Sequence, residues 1–323
     1  MTMILLTNVK PPTTILSFSP TTTNFQDFAS LEIHVYEEKS GNLYVHHDLP
    51  LPTYPLCLAH GGNGAVGGNY VAVGTFDPAI EIWNLDVLDV LEPTFVLGGS
   101  ADASAADAEW VRLMEERDQP SSTTVGGKKK KKGKKKGNGG VRSGGNAIGG
   151  GGGKGGLVNG SHSDAVTCLS WNPVHGRVIA SGSADRAVKL WDVTRHGDNG
   201  SSGSPPVATL DHHSAAIVAL EWHPSEVAVL ASGGSDNRIC VLDTRAAGGL
   251  CAGVDVRVEC EALAWDPHNP HLLTASDEGG IVTCWDVRTF GGTNTGGVGN
   301  GPSPLWSMVA HQSGACTDLS YNA

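Results

Sequence analysis

His162, Ser181, Ser183 and Asp185 set an imidazole, two hydroxyls and a carboxylate within one short stretch of this 323-residue chain. These are the groups of a hydrolytic triad, in which a histidine takes the proton of a serine nucleophile while a carboxylate orients the imidazole. The trio recurs at His213, Ser232 and Asp236. A catalytic constellation is not built once per repeat, so the recurrence assigns a structural task. Asp accepts a hydrogen bond from His, a serine hydroxyl bridges to the Trp191 indole N–H, and buried polar groups satisfy one another. No G-x-S-x-G occurs, and Lys154, in a glycine run, lacks the flanking Gly and Ser/Thr of a phosphate loop. His46-His47 and His212-His213 raise metal ligation, but no Cys or His stands at ligand spacing, and they read as strand-edge or tetrad histidines. No catalytic residue, cofactor, metal or small-molecule substrate is expected.

The elements that must hold these residues repeat as well. His162-Ser163-Asp164-Ala165-Val166 runs to Leu169 and Trp171, and His213-Ser214-Ala215-Ala216-Ile217 runs to Leu220 and Trp222 in the same register. A third copy, Ala262-Leu263-Ala264-Trp265, lacks the His, and a fourth opens at His311 and reaches Tyr321. Each complete copy continues as W-x-P, then an apolar strand with Ala and Ser (179–183, 230–234, 272–276). An Asp-containing turn follows, and then a strand ending Trp191-Asp192, Leu242-Asp243 or Trp285-Asp286. The spacing from Asp192 to Asp243 is 51 residues, and from Asp243 to Asp286 it is 43. A period in the forties with a terminal W-D is the signature of WD40 blades, four-stranded sheets set radially round a channel. Asp185 and Asp236 each precede the closing Trp191 or Leu242 by six residues, and Asp77 precedes Trp83 by six, so an earlier, looser blade is expected, with strands at 69–74 and 80–84. Asp277 lies eight before Trp285, which makes that tetrad irregular.

Composition fits this. Gly is 44 of 323 and charged residues are 17%, against about 25% in an average domain. Eight of the 22 Lys and Arg residues are Lys128, Lys129, Lys130, Lys131, Lys132, Lys134, Lys135 and Lys136, leaving 14 against 33 Asp and Glu elsewhere. An acidic chain with one basic run excludes a general nucleic-acid-coating surface. The run reads as a nuclear or nucleolar targeting signal, with a local phosphate-binding arm and a solvated linker as the other readings. Residues 121–160 hold 16 glycines and no apolar periodicity, so 99–160 is expected to be a disordered insertion. Seven cysteines without metal-like spacing read as reduced thiols of an intracellular protein. No apolar run approaches the roughly 20 residues that span a bilayer, so no membrane partner is expected. Residues 31–48 alternate round Lys39-Ser40-Gly41-Asn42, a β-hairpin pattern. Organisation is therefore expected as an irregular segment 1–30, hairpin and divergent first blade 31–98, insertion 99–160, and blades 161–323.

The segments LEIHVYEEKSGNLYVHHDLPLPTYPLCLAH (31–60), GNYVAVGTFDPAIEIWNLDVLDVLEPTFVLG (68–98), the Lys run and HSDAVTCLSWNP (162–173) resemble, in that order, the periodic tryptophan protein 1 family of nuclear WD40 proteins. The resemblance implies a nucleolar and nuclear scaffold of ribosome biogenesis, acting in large-subunit assembly and rRNA processing. Its implied partners are proteins of pre-ribosomal particles, with weak rRNA contact through the Lys run, and chromatin or histones at ribosomal genes. Residues 1–29 are Thr/Pro-rich, where the family carries an acidic segment, and members continue with further blades. The expected fold is all-β, an incomplete WD40 propeller of four blades plus one orphan strand at 311–321, cut short by the end of the chain. A second functional reading is a chromatin-binding propeller. A third is a cullin-ligase substrate receptor using the W-D-x-R box Trp285-Asp286-Val287-Arg288.

Overall fold

The computed structural model describes residues 4–7, 13–21, 28–37, 39–61, 68–99, 157–195, 203–246, 250–290 and 302–321. Twenty strands form five antiparallel four-stranded sheets. The first sheet holds β1 (Ile4–Thr7), β2 (Thr13–Thr21), β3 (Phe28–Glu37) and β4 (Asn42–Leu51), and the second β5 (Pro55–Gly61), β6 (Tyr70–Thr75), β7 (Ala79–Asn84) and β8 (Phe95–Gly98). The third holds β9 (Val166–Trp171), β10 (Val178–Ser183), β11 (Val188–Asp192) and β12 (Ala208–Leu210). The fourth holds β13 (Ile217–Trp222), β14 (Val229–Gly234), β15 (Arg238–Asp243) and β16 (Leu250–Asp255). The fifth holds β17 (Cys260–Trp265), β18 (Leu272–Asp277), β19 (Ile281–Asp286) and β20 (Trp306–Val309). Among the described residues no helix is long and apolar enough to cross a membrane.

Neighbouring sheets meet through their first strands, β1 with β5, β5 with β9, β9 with β13 and β13 with β17. Alternation along each strand sends apolar residues to both faces, and one apolar cluster fills each gap between sheets. Leu31 and Leu49 pack on Val71 and Trp83, and Ile80 and Ile82 on Ile179 and Trp191. Further round, Leu190 packs with Ile217 and Trp222, and Ile239 with Trp265 and Trp285. The approach is close at Gly182, where an added Cβ would lie 2.6 Å from both Cys168 Sγ and Ile217 Cγ2. Only glycine lets β13 come so near β10.

The all-β propeller class read from the sequence holds. The strand inventory differs at both ends. Residues 1–30, expected to be irregular, contribute β1, β2 and the start of β3, and β2 pairs with β3 along its whole length. The sequence Thr-Thr-Ile-Leu-Ser-Phe-Ser-Pro-Thr is rich in residues that suit a pleated strand, and the hairpin offers it the free edge of β3. The expected hairpin is therefore half of a complete sheet, with Gly41 at φ 69° in its turn. At the other end β20 completes the fifth sheet, and 311–321 forms no strand. Four sheets and an orphan strand become five sheets. Of the insertion 99–160, only Gly99 and 157–160 are described, and the Lys run lies outside the described residues. Its two ends meet where Val158 N–H donates to the Gly99 carbonyl, 2.9 Å away.

Candidate functional site

The third sheet assembles the full polar relay. His162 precedes β9, Ser181 sits mid-β10, Asp185 in the β10–β11 turn and Trp191 near the end of β11. His162 Nδ1 lies 2.9 Å from Asp185 Oδ2, and its Nε2 lies 2.7 Å from Ser181 Oγ. The Trp191 indole donates to that same Oγ at 2.7 Å. The hydroxyl, accepting from Trp191, gives its own proton to His162 Nε2, which places the imidazole proton on Nδ1, facing Asp185. His162 and Ser181 are fully buried. Burial lowers the His162 pKa, keeping the ring neutral, and Asp185 only partly offsets this. Burial opposes charge on Asp185 too, but His162 and the Ser163 and Ala187 N–H groups together hold its carboxyl well below the usual range. Ser183 lies outside the relay: it donates to the Asp164 carbonyl and accepts from the Asp185 N–H, each at 3.1 Å. The buried Ser181 hydroxyl is held between His162 and Trp191, so the trio works as a clamp.

The fourth sheet keeps three members. His213 Nδ1 meets Asp236 Oδ1 at 2.9 Å, and its Nε2 meets Ser232 Oγ at 2.9 Å. Leu242 stands where Trp191 stands, and His212 Nε2 takes the indole's place, 2.8 Å from Ser232 Oγ. Burial and the neighbouring His213 lower the His212 pKa to about 4. The register of β14 and β15 sets Cys240 opposite Ser232. The sequence reading, which found no thiol near His212-His213, missed this, because cross-strand pairing and not chain spacing makes the neighbour.

The tetrads expected in the second and fifth sheets do not form. Asp77 is exposed and accepts from Thr53 Oγ1 at 3.2 Å, while the Trp83 indole donates to Glu81 at 3.0 Å. The position matching Ser181 is Val73 in β6 and Ala275 in β18, paired alongside Trp83 and Trp285 as Ser181 is alongside Trp191. Without a hydroxyl the relay has no centre, and Trp83 and Trp285 serve as apolar core. Of the W-x-P tryptophans, Trp171 donates to the Gly176 carbonyl in its own sheet, at 2.7 Å, whereas Trp222 and Trp265 bind sheet to sheet. Trp222 donates to the Ser170 carbonyl at 3.1 Å and Trp265 to the Glu221 carbonyl at 3.2 Å.

The first strands β5, β9, β13 and β17, with 317–321, surround an axial cavity of about 710 Å³. Its acidic lining comprises Glu221, Glu261 and Asp318. Burial, reinforced by Asp318, raises the Glu221 pKa to about 8. Burial and then Glu259 and Glu278 raise that of Glu261. A ligand carrying positive charge suits these walls. Tyr321 fixes the 317–321 segment through its hydroxyl, 2.6 Å from Thr274 Oγ1.

Radially arranged four-stranded sheets, one of them clamped by a complete His–Ser–Asp–Trp relay and the next by its His–Ser–Asp part, are the blades of a WD40 propeller. The WD domain, G-beta repeat family matches residues 157–192 and 204–243. The resemblance to the periodic tryptophan protein 1 family is also borne out across most of the chain. It is 29% identical to "Periodic tryptophan protein 1 homolog" of Drosophila melanogaster over 90% of its own length and 50% of that protein's. It is 30% identical to "Periodic tryptophan protein 1" of Saccharomyces cerevisiae over 85% of its length and 40% of that protein's. The chain thus spans about half, or less, of these curated relatives. A chain in "Crystal Structure of Mitotic Checkpoint Complex" superposes with a TM-score of 0.52 at 17% identity, covering 93% of this chain and 68% of that one, a likeness of fold alone.

Proposed function

We propose that this chain is a non-enzymatic scaffold in nucleolar assembly of the large ribosomal subunit and processing of its RNA. The observation that carries the reading is the similarity to periodic tryptophan protein 1 of fly and yeast over 90% and 85% of this chain. The clamped histidines add support, since both nitrogens of His162 and His213 are engaged in structural hydrogen bonds. Partners would be pre-ribosomal proteins bound at the blade rims and at the acidic axial cavity. Lys128, Lys129, Lys130, Lys131, Lys132, Lys134, Lys135 and Lys136 would supply the nuclear and nucleolar address and weak rRNA contact. The cullin-receptor reading is disfavoured, because Arg288 and Arg245 turn their guanidinium groups back onto Asp286 and Asp243.

The test is purification of the tagged protein from nuclei under mild conditions. Precursor RNA of the large subunit should co-purify, and replacing the eight lysines with Gln should reduce nucleolar enrichment while the blades stay folded. Retention on nucleosomes after RNase, without precursor RNA, would favour chromatin instead.

A further inference from the structure

The fourth sheet differs from the third at one position that matters chemically. Leu242 brings no indole N–H to Ser232, and His212 fills the gap, its ring centroid 4.5 Å from that of His213. Cys240, across the strand pair from Ser232, is fully buried. One donor atom from each of His212, His213 and Cys240 lies within 4.8 Å of the others.

Proton bookkeeping leaves a lone pair over. His213 directs its Nδ1–H at Asp236, so its Nε2 accepts the Ser232 hydroxyl proton. That hydroxyl has one proton, so His212 must donate through Nε2 to Ser232 Oγ. His212 Nδ1 is then a buried acceptor, and it finds no partner among the described residues.

We propose that His212, His213 and Cys240 form a zinc-type metal site with a water as fourth donor, the Ser232 hydroxyl leaving His213 Nε2 so that this nitrogen can ligate. Two imidazoles and a thiolate are a zinc donor set, and bonds of about 2.0–2.3 Å place tetrahedral donors about 3.3–3.8 Å apart. Small side-chain rotations close the cluster to that size. Asp236 already stands where an orienting carboxylate stands behind a ligating histidine. On binding, the Cys240 S–H bond breaks, its proton passes to water and the sulfur pair bonds the metal, with no change of oxidation state. Because the thiol must lose its proton to ligate, uptake should strengthen as pH rises. The metal would join the 212–213 loop to β15, a link that the Trp191 indole makes through Ser181 in the third sheet.

Metal-depleted full chain is titrated with Co²⁺ and then Zn²⁺. Stoichiometric uptake with a thiolate-to-cobalt charge-transfer band, abolished by Zn²⁺, is expected, and zinc should raise the melting temperature. Cys240→Ser should lose the band, and His212→Gln should bind about tenfold or more weakly. Asp185→Asn, which disturbs the plain relay of the third sheet, should leave the band unchanged. Circular dichroism checks that each variant is folded; if one is not, the other decides. No uptake by the parent, a full band in Cys240→Ser, or its loss on replacing His46 and His47 of β4 with Ala would overturn the proposal.

Discussion

His162 and Asp185 stand 23 residues apart in the chain and 2.9 Å apart in space, and their contact closes a turn, a strand and a loop into one unit. Asp185→Ala removes the acceptor of a buried imidazole N–H. Leaving such a donor unsatisfied costs about 1–3 kcal/mol. Asp77 looks the same in sequence but is exposed and joins no relay, so Asp77→Ala should change stability by less than about 0.5 kcal/mol. Urea unfolding of the two variants separates them.

The same pair sets an acid limit. Burial depresses the His162 pKa, so the unfolded chain takes up a proton below its ordinary value of 6.5 that the fold refuses. Stability from His162 is therefore lost as pH falls below 6.5. Asp185, also depressed in the fold, adds a further loss below its ordinary 3.8. Each proton contributes at most about 1.4 kcal/mol per pH unit. The melting temperature should begin to fall near pH 6.5 and fall faster below pH 4, and His162→Gln should flatten the first part of that decline.

The relays were legible in the sequence where all of their polar members recur, as at His162, Ser181 and Asp185. They were misjudged at Trp83 and Trp285 because Trp and Asp mark a blade, whereas the relay depends on a hydroxyl, and Val73 and Ala275 have none. The first sheet was half visible. Its hairpin alternates strongly, but β1 and β2 repeat nothing else in the chain and gain their structure from the edge of β3. Cys240 beside His212 was not legible, since the strand register that joins them follows from the whole sheet.

The W-x-P tryptophans should matter through their indoles as well as their bulk. Trp222→Phe keeps an aromatic ring but loses the bond to the Ser170 carbonyl and leaves space between the third and fourth sheets. A loss of about 1–3 kcal/mol is expected. Trp306→Phe, on the exposed strand β20, should stay within about 0.5 kcal/mol of the parent in the same denaturation series.

Glu221 predicts a loss of stability at the opposite end of the pH scale. It lies on β13 facing the axial cavity, where burial first, and then the charge of Asp318, raise its pKa from 4.5 to about 8. Between those values the fold keeps a proton that the unfolded chain has released. The contribution is complete below pH 4.5 and drains away as pH rises through 8, with a slope of at most about 1.4 kcal/mol per unit. Glu221→Gln keeps the shape, removes the titration and should make the protein less sensitive to pH between 5 and 8, with its largest gain over the parent at the alkaline end. Calorimetry of both proteins across that range is the check. Parallel curves would mean that water reaches the carboxylate and that the cavity carries a negative charge at neutral pH. A cationic partner should act in the same direction as the mutation, because its charge stabilises the ionised Glu221 and releases the retained proton.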